Sequence, residues 1–351
     1  MDAGKLPNDL LASLLTHVRP RDPRVIIGPG IGRDAAVIDA GGPNLLVAKT
    51  DPVTFASDLI GSYAVHVNAN DIACTGATPA WFLATLLLPE SAEASLAESI
   101  FDQLVAACAE LGVELVGGHT EITIGLTRPI IAGAMLGEVA PERLVRPDGG
   151  RPGDALILTK GIAIEGTSVL VREAPERLRT LGVPEETIHA AGNYLSDPGI
   201  SVVRDARIAC DTVGVHAMHD PTEGGLATAL YEMAQGSDVG ILIDRHAITI
   251  LPATAAICSA TGLDPLGLLA SGALLIAVGE DDSESLISAL AGNGIPASCI
   301  GTLATPDAGV IMSDKSGRSP VPHFDTDEVA RFLTQPHQAK EHRGRTEAED
   351  H

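Results

Sequence analysis

Apolar residues return at helical spacing at Leu10, Leu11, Leu14, Leu15 and Val18, and with Asn8 as the cap they predict an opening amphipathic helix. Glycines from Gly28 to Gly32 break that pattern. Ala35 to Asp39 and Leu45 to Lys49 then read as two short strands of a hairpin, joined by Ala40-Gly41-Gly42-Pro43, with acids at both ends. Asp58 to Thr75 predicts a helix that carries Asn70 and Asp71 near its end. Trp81 to Leu88 predicts a continuous apolar strand. Leu96, Ile100, Leu104, Cys108 and Leu111 form one stripe of a long helix that Gly112 ends. Val113 to Val116 reads as a strand opening into a loop at Gly117-Gly118-His119, and Ile130 to Val139 as a central strand closing the first unit.

Charge, proline and glycine crowd together from Arg146 to Gly153, the best linker candidate. The second half restarts with a strand at Ala155 to Thr159, then helices around Ile164 to Arg172 and Gly199 to Ala209. His219 to Gly225 reads as a loop leading into a helix with Leu226, Leu230 and Met233 on one face. Gly240 to Asp244, Ala273 to Val278, Ile295 to Ile300 and Val310 to Ser313 supply strands. The alternation predicts an α/β chain with units at 1–150 and 151–334, followed by a disordered polar tail at 335–351. No short-period internal repeat is visible.

At 351 residues, two domains of ordinary size are expected. Lys plus Arg number 23 against 46 Asp plus Glu, a net charge of −23, which argues against nucleic acid and anionic lipid surfaces as partners. Only five of the basic residues are lysines. The five cysteines, Cys74, Cys108, Cys210, Cys258 and Cys299, are widely spaced with no Cys-x-x-Cys pair, which reads as free thiols in a reducing cytosol rather than a disulfide framework or zinc site. Met1 to Leu15 lacks a basic start followed by an apolar core, and no stretch reaches the ~18 apolar residues of a membrane span. The expectation is a soluble cytoplasmic protein without a standard export signal.

The candidate chemistry lies in five motifs that set an acid or imidazole beside small residues: Gly32-Arg33-Asp34-Ala35-Ala36, Thr50-Asp51, Asn70-Asp71, Gly117-Gly118-His119-Thr120-Glu121 and His219-Asp220-Pro221-Thr222-Glu223-Gly224-Gly225. Magnesium prefers oxygen ligands from one or two carboxylates plus phosphates, and glycines let backbone N–H groups approach those phosphates. Metal-bound triphosphate is the ligand this pattern suggests. Each motif also has an ordinary structural reading. Asp34 suits a metal or a turn, whereas Asp51 would face a cleft from a sheet edge. Asp71, in an otherwise apolar helix, costs several kcal/mol unless paired, hydrogen-bonded or metal-bound. His119 could ligate metal, contact phosphate, carry a proton or simply hydrogen-bond at the surface, and Thr120 could donate to a phosphate oxygen. Gly224 and Gly225 precede a helix whose N-terminus favours an anion, unless Thr222 or Glu223 caps it. Lys49, Lys160 and Arg33 are the basic residues near these motifs that could balance triphosphate charge.

Taken together and in this order, from about Gly28 to Met312, the motifs resemble the PurM-like superfamily of ATP-dependent enzymes, which includes AIR synthase, thiamine-monophosphate kinase, selenophosphate synthetase and the hydrogenase maturation protein HypE. Asp34-Ala35-Ala36-Val37 looks like the first acidic motif, and Asp51 like the acid after the second strand. Asn68-Ala69-Asn70-Asp71-Ile72-Ala73-Cys74-Thr75-Gly76-Ala77-Thr78-Pro79 resembles the "Asn-Asp-Ile-Ala-x-x-Gly-Ala-x-Pro" helix. Gly117-Gly118-His119-Thr120 resembles the Gly-Gly-(Asp/Glu/His)-Thr loop in the histidine form seen in selenophosphate synthetase. Asp220-Pro221-Thr222-Glu223-Gly224-Gly225-Leu226-Ala227 and Gly262-Leu263-Asp264-Pro265-Leu266 look closest to HypE.

The resemblance implies a PurM-like two-domain α/β fold: an N-terminal domain whose sheet joins a partner's across a homodimer, and a C-terminal α/β domain over the cleft. ATP and Mg2+ are the implied cofactors. Asp34, Asp51, Asp71 and Asp220 would hold metal, and Gly32, Asp34, Asn70, Gly117, Gly118, Thr120, Thr222, Gly224 and Gly225 would line the nucleotide. His119, Asp220, Lys49 and Lys160 would serve catalysis, a lysine neutralising phosphate and His119 placing the γ-phosphate or moving a proton.

Departures from HypE fall where the substrate would be chosen. HypE carries its substrate on a C-terminal cysteine in Pro-Arg-Ile-Cys, whereas this chain ends Glu347-Ala348-Glu349-Asp350-His351, so a self-carbamoylated tail is excluded if the sequence is complete. HypE's Arg after Pro-Thr is Glu223, and its Asn-Glu-Gly reads Ala270-Ser271-Gly272. Selenophosphate synthetase's N-terminal Cys/Sec and Lys pair has no counterpart, and thiamine-monophosphate kinase is matched only in the generic acids. The expected activity is Mg-ATP-dependent phosphorylation of an amide-type or other oxygen, on a small molecule or a protein-borne acceptor, with a maturation partner protein in view. The rivals are a thiamine-monophosphate-kinase-like or AIR-synthase-like metabolic enzyme, and a non-catalytic ATP-binding maturation or scaffold protein.

Overall fold

The computed structural model describes residues 6, 8–18, 21–54 and 56–334. The tail expected to be disordered, 335–351, lies outside them. Two sheets carry the architecture. In the first, β1 (Val25–Ile27), β2 (Ala36–Ile38), β3 (Leu45–Val53), β4 (Thr78–Pro89), β5 (Glu114–Thr123) and β6 (Ile130–Val139) run in the order β1-β2-β3-β6-β4-β5. Only β4 and β5 pair in parallel. The expected hairpin is β2–β3, and the expected central strand is β6, which lies between β3 and β4.

The second sheet contains β7 (Ala155–Thr159), β8 (Val215–His219), β9 (Gly240–Asp244), β10 (Leu275–Val278), β11 (Ala297–Ala304), β12 (Val310–Asp314) and β13 (Gly317–Pro320), ordered β13-β12-β9-β11-β7-β10-β8. Every pair is antiparallel except β9–β12. Every residue of β7 and β10 is buried, because helices cover both faces of this sheet, so these strands read as unbroken apolar runs. One face packs Leu226, Leu230 and Met233 against Ile241 and Ile243. The other packs Ala206 and Leu286 against Ile157 and Ile276.

The helix Ile60–Cys74 joins the halves. It lies across β3 and β6, against the helix Ala94–Leu111, and its far side meets the helix Val203–Thr212 and β8 of the second unit. Thirteen of its residues are buried, which explains why its polar members needed partners. Asn70 meets that need: its Nδ2 donates to the Ile200 carbonyl at 2.8 Å and its Oδ1 accepts from the Val202 N–H at 2.8 Å. Asn70→Ala would leave a buried carbonyl and a buried N–H unsatisfied, an expected loss of about 2 kcal/mol, read as a lower urea midpoint with unchanged slope.

Two motifs read as loops, and one placed at a sheet edge, are parts of regular elements. Asp51 lies within β3, His219 ends β8, and Gly117-Gly118-His119-Thr120 sits inside β5, which runs on to Thr123. The glycine pair did not end the strand. Gly118 has φ +149, a Cβ there would run into the Ala84 backbone, and the β4–β5 register slips between Phe82 and Leu83. The pair therefore absorbs an irregularity within the strand.

Candidate functional site

Alternation along β3 puts Leu45, Val47, Lys49, Asp51 and Val53 on one face, and the helix Ile60–Cys74 covers that face. Lys49 Nζ lies 3.0 Å from Asp71 Oδ2 of that helix and 3.4 Å from Asp51 Oδ2. Asp34, on the segment between β1 and β2, reaches the second unit, where its Oδ2 is 2.8 Å from His219 Nδ1. His219 Nε2 is 3.1 Å from Glu232 Oε2. Asp220, immediately after β8, accepts from the Cys74 thiol on Oδ1 at 3.4 Å, while its buried Oδ2 has no hydrogen-bond partner among the described residues. One donor atom from each of Asp34, His219 and Asp220 falls within 4.8 Å of the others.

Burial sets the electrostatics of this cluster. Asp71 and Asp220 are 3% and 1% exposed. Burial pushes the Asp71 carboxyl well above the usual range although Lys49 opposes the shift, and the Asp220, Asp34 and Asp51 carboxylates add to it. Burial and the Asp34 carboxylate push Asp220 up to about 7. Burial alone would lower Lys49, but Asp71, Asp51 and Asp34 together raise it, so the ammonium stays charged. His219 behaves likewise: burial disfavours its charge, while Asp34 and Glu232 hold it well above the ordinary imidazole value.

Both ring nitrogens of His219 are engaged by carboxylates, Asp34 on one side and Glu232 on the other, so the imidazole orients Asp34. The remaining donors, Asp34, Asp51, Asp71 and Asp220, are hard oxygens from both domains. Four acids facing one lysine, with an orphaned buried oxygen on Asp220, fit a divalent cation such as magnesium.

Other candidate residues go elsewhere within the chain. Lys160 Nζ donates to the Ser201 carbonyl at 2.6 Å and the Gly199 carbonyl at 3.3 Å and lies 3.5 Å from Asp205. His119 is exposed on β5, with Nε2 3.1 Å from Glu121. Asp51, Gly133, Ala84 and Gly118 occupy one row across β3, β6, β4 and β5. At ~4.8 Å per strand, that row puts the Gly117–Thr120 stretch about 14 Å from Asp51. Gly32 has φ +68 and lies against the Glu232 carbonyl, where a Cβ would be 2.5 Å away. At the helix Gly225–Ser237 the N-cap position is Gly224, and the Thr222 carbonyl accepts from the Gly225 N–H at 3.0 Å. Gly224 and Gly225 both take positive φ, and the Gly224 N–H donates to Asp327 Oδ2 at 2.7 Å.

Sequence reasoning left His219, Glu232, Cys74, Glu165 and Asp327 without a role. Glu232 and Glu165 carried the signal that marked Asp71, an acid inside an apolar helical stretch. Asp327, near the far end of the described chain, carried none.

Family models match both halves of the chain: AIR synthase related protein, N-terminal domain, over residues 32–139, and AIR synthase related protein, C-terminal domain, over residues 151–313. The carbamoyl dehydratase HypE of Rhizobium leguminosarum bv. viciae is 31% identical, over 79% of this chain and 78% of its own. A selenide, water dikinase of Shewanella baltica is 28% identical over 88% of this chain and 93% of its own. The crystal structure of hydrogenase maturation protein HypE in complex with ATP superposes with a TM-score of 0.71 at 25% identity, covering 94% of this chain and 98% of that one. With both domain models matched in order and this fold shared, the chain belongs to the AIR synthase-related family.

Proposed function

We propose that this chain binds Mg-ATP between its two domains and transfers the γ-phosphoryl group to an amide-type oxygen, of the carbamoyl class for which its HypE relatives are named. The observation that carries this reading is the convergence of Asp34, Asp51 and Asp71 with Asp220 from the other domain, around a buried Asp220 oxygen that no described residue satisfies. These four residues would hold magnesium, which screens phosphate charge and aligns the γ-phosphate when bound. Lys49 would turn from the acids to the phosphates, and His219 keeps Asp34 aimed into the cleft.

The Gly117-Gly118-His119-Thr120 stretch is best assigned to the active site of a second copy. β5 is an edge strand of ten residues, its outer side unpaired among the described residues, with Val116 and Ile122 more than half exposed. An edge of that length invites pairing, and a homodimer joined there would cover it. Gly32, Thr222, Gly224 and Gly225 complete the nucleotide lining in this reading. Asn70 and Lys160 hold the 199–202 segment that braces the two domains. The acceptor arrives free or on a maturation partner protein.

Titration calorimetry with ATP, with and without magnesium, tests the reading. Wild type is expected to bind only with magnesium, and Asp51→Ala to weaken that binding by at least about tenfold, roughly one lost charge-assisted contact. Absence of binding to wild type would remove the phosphotransferase reading.

A further inference from the structure

We infer that Cys74 is a positioning residue of the metal site: its thiol holds one oxygen of Asp220 and leaves the other as the single oxygen that Asp220 offers a divalent cation. The inference rests on the Mg-ATP reading above, which makes Asp220 a ligand. Cys74 is the last residue of the helix Ile60–Cys74, about one turn beyond Asp71, and only 4% of it is exposed. Asp220 follows β8 in the second unit. Cys74 Sγ donates to Asp220 Oδ1 at 3.4 Å, so a thiol from one domain grips a carboxylate from the other.

A carboxylate can meet a cation through one oxygen or through both. With Oδ1 engaged by the thiol, Asp220 turns only Oδ2 to the cluster, and that buried atom has no hydrogen-bond partner among the described residues. Hydrogen bonds to ligating carboxylates fix how they face the metal. A thiol suits this task because it donates without bringing charge. A Lys or Arg in its place would compete with the cation for the carboxylate, and an acid would add one more repelling charge. Burial, with the Asp220, Asp34 and Asp71 carboxylates nearby, pushes the thiol well above its ordinary value, so near neutral pH it keeps its proton and stays a donor.

Cys74 also fills space as a small apolar group beside Val145, Met218 and Ile276. The two roles rank substitutions differently. Alanine suits apolar surroundings but has no donor, whereas serine keeps a donor and sets a hydroxyl among apolar neighbours. If the sulfur only fills space, serine is the worse replacement for stability and for metal binding alike. If the thiol positions Asp220, serine binds metal better than alanine, recovering part of the loss because a hydroxyl reaches less far than a thiol.

The test titrates magnesium into wild type, Cys74→Ala and Cys74→Ser with a fluorescent ATP analogue present, well below each protein's thermal midpoint. Cys74→Ala is expected to need about tenfold more magnesium for half-maximal binding, with full binding restored at excess metal, as a damaged nucleotide pocket would not allow. Cys74→Ser is expected to fall between the two. Infrared difference spectra of wild type, with Cys74→Ser as the blank, follow the thiol itself. Its S–H stretch should persist with Mg-ATP bound and be displaced, because a cation on Oδ2 draws charge from Oδ1 and weakens the bond it accepts. Equal magnesium requirements in wild type and Cys74→Ala, serine binding no better than alanine, or an S–H stretch that magnesium leaves in place would each overturn the assignment while wild type still binds Mg-ATP. A wild type that binds no Mg-ATP removes the parent reading and this inference with it.

Discussion

With divalent cations chelated, the protein is expected to lose stability as pH rises from about 4 to about 7, and excess magnesium is expected to reverse that slope. The sign follows from where the protons sit. Asp220 releases its proton at about 7 in the folded chain against an ordinary 3.8. Between those values the folded state holds a proton that the unfolded chain has already lost, so each step up in pH favours unfolding. Asp71 is raised for the same reason, burial among like charges, and acts in the same direction.

His219 extends the fall. Its folded value is raised above 6.5 by Asp34 and Glu232. The stability it contributes is therefore complete below 6.5 and is lost as pH climbs through the folded value. Lowered carboxylates such as Asp148 and Glu185 work the other way, but they are mostly exposed and solvent-screened, and their effect is confined to the acid arm. Magnesium binds the ionised carboxylates in competition with protons, so its stabilisation grows as pH rises. Scanning calorimetry from pH 4 to 8, with chelator and with excess magnesium, reads both slopes. Stability that is flat or rising under chelator would show that these carboxyls are not held protonated by the fold, and a magnesium-independent slope would remove the metal from the cluster.

Most of this cluster was legible because its residues violate local preference. An acid in the apolar turn Asn70-Asp71-Ile72-Ala73 is costly in any fold, so Asp71 announced itself. The apolar runs of β4, β6, β7 and β9 were equally clear, because a buried strand needs little beyond continuous hydrophobicity and a turn at each end. What could not be read was set at long range. β8 was missed because Val215-His216-Ala217-Met218-His219 interleaves imidazoles with apolar residues, and those imidazoles find Asp154 and Asp34 only after folding. β13, Gly317-Arg318-Ser319-Pro320, has the composition of a turn and exists by pairing with β12. Gly117-Gly118 reads as a strand's end, yet β4 holds the pair in extended backbone. Likewise, the role of His219 as a clamp between Asp34 and Glu232 joins residues 185 and 13 positions away, beyond any local signal. The aspartates were therefore visible one by one in the sequence. That Lys49, rather than Lys160, stands among them was decided by alternation along β3.

Lys49→Met is expected to destabilise the chelated protein by about 3–5 kcal/mol at pH 8, the usual cost of removing one partner from a buried ion pair. Methionine keeps the length and volume of the lysine stem, so the effect isolates the charge. The ammonium is 3.0 Å from Asp71 and 3.4 Å from Asp51, and without it Asp71 faces the Asp34, Asp51 and Asp220 carboxylates with the charge that offset them gone. Protonation offers a partial escape, since Asp71 already resists ionisation. The loss should therefore shrink at pH 5, where the acid can turn neutral. Two rescues follow from the same picture. Asp71→Asn added to Lys49→Met removes the stranded charge and should restore most of the stability, a coupling that a double-mutant cycle by urea unfolding measures directly. Magnesium should also rescue the single variant, because a cation in the cluster replaces the missing one, and the variant would then depend on metal for its fold where wild type does not. Should Lys49→Met prove as stable as wild type under chelator at pH 8, the cluster would not be held together by that ammonium, and its carboxylates would carry no excess charge for a divalent cation to neutralise.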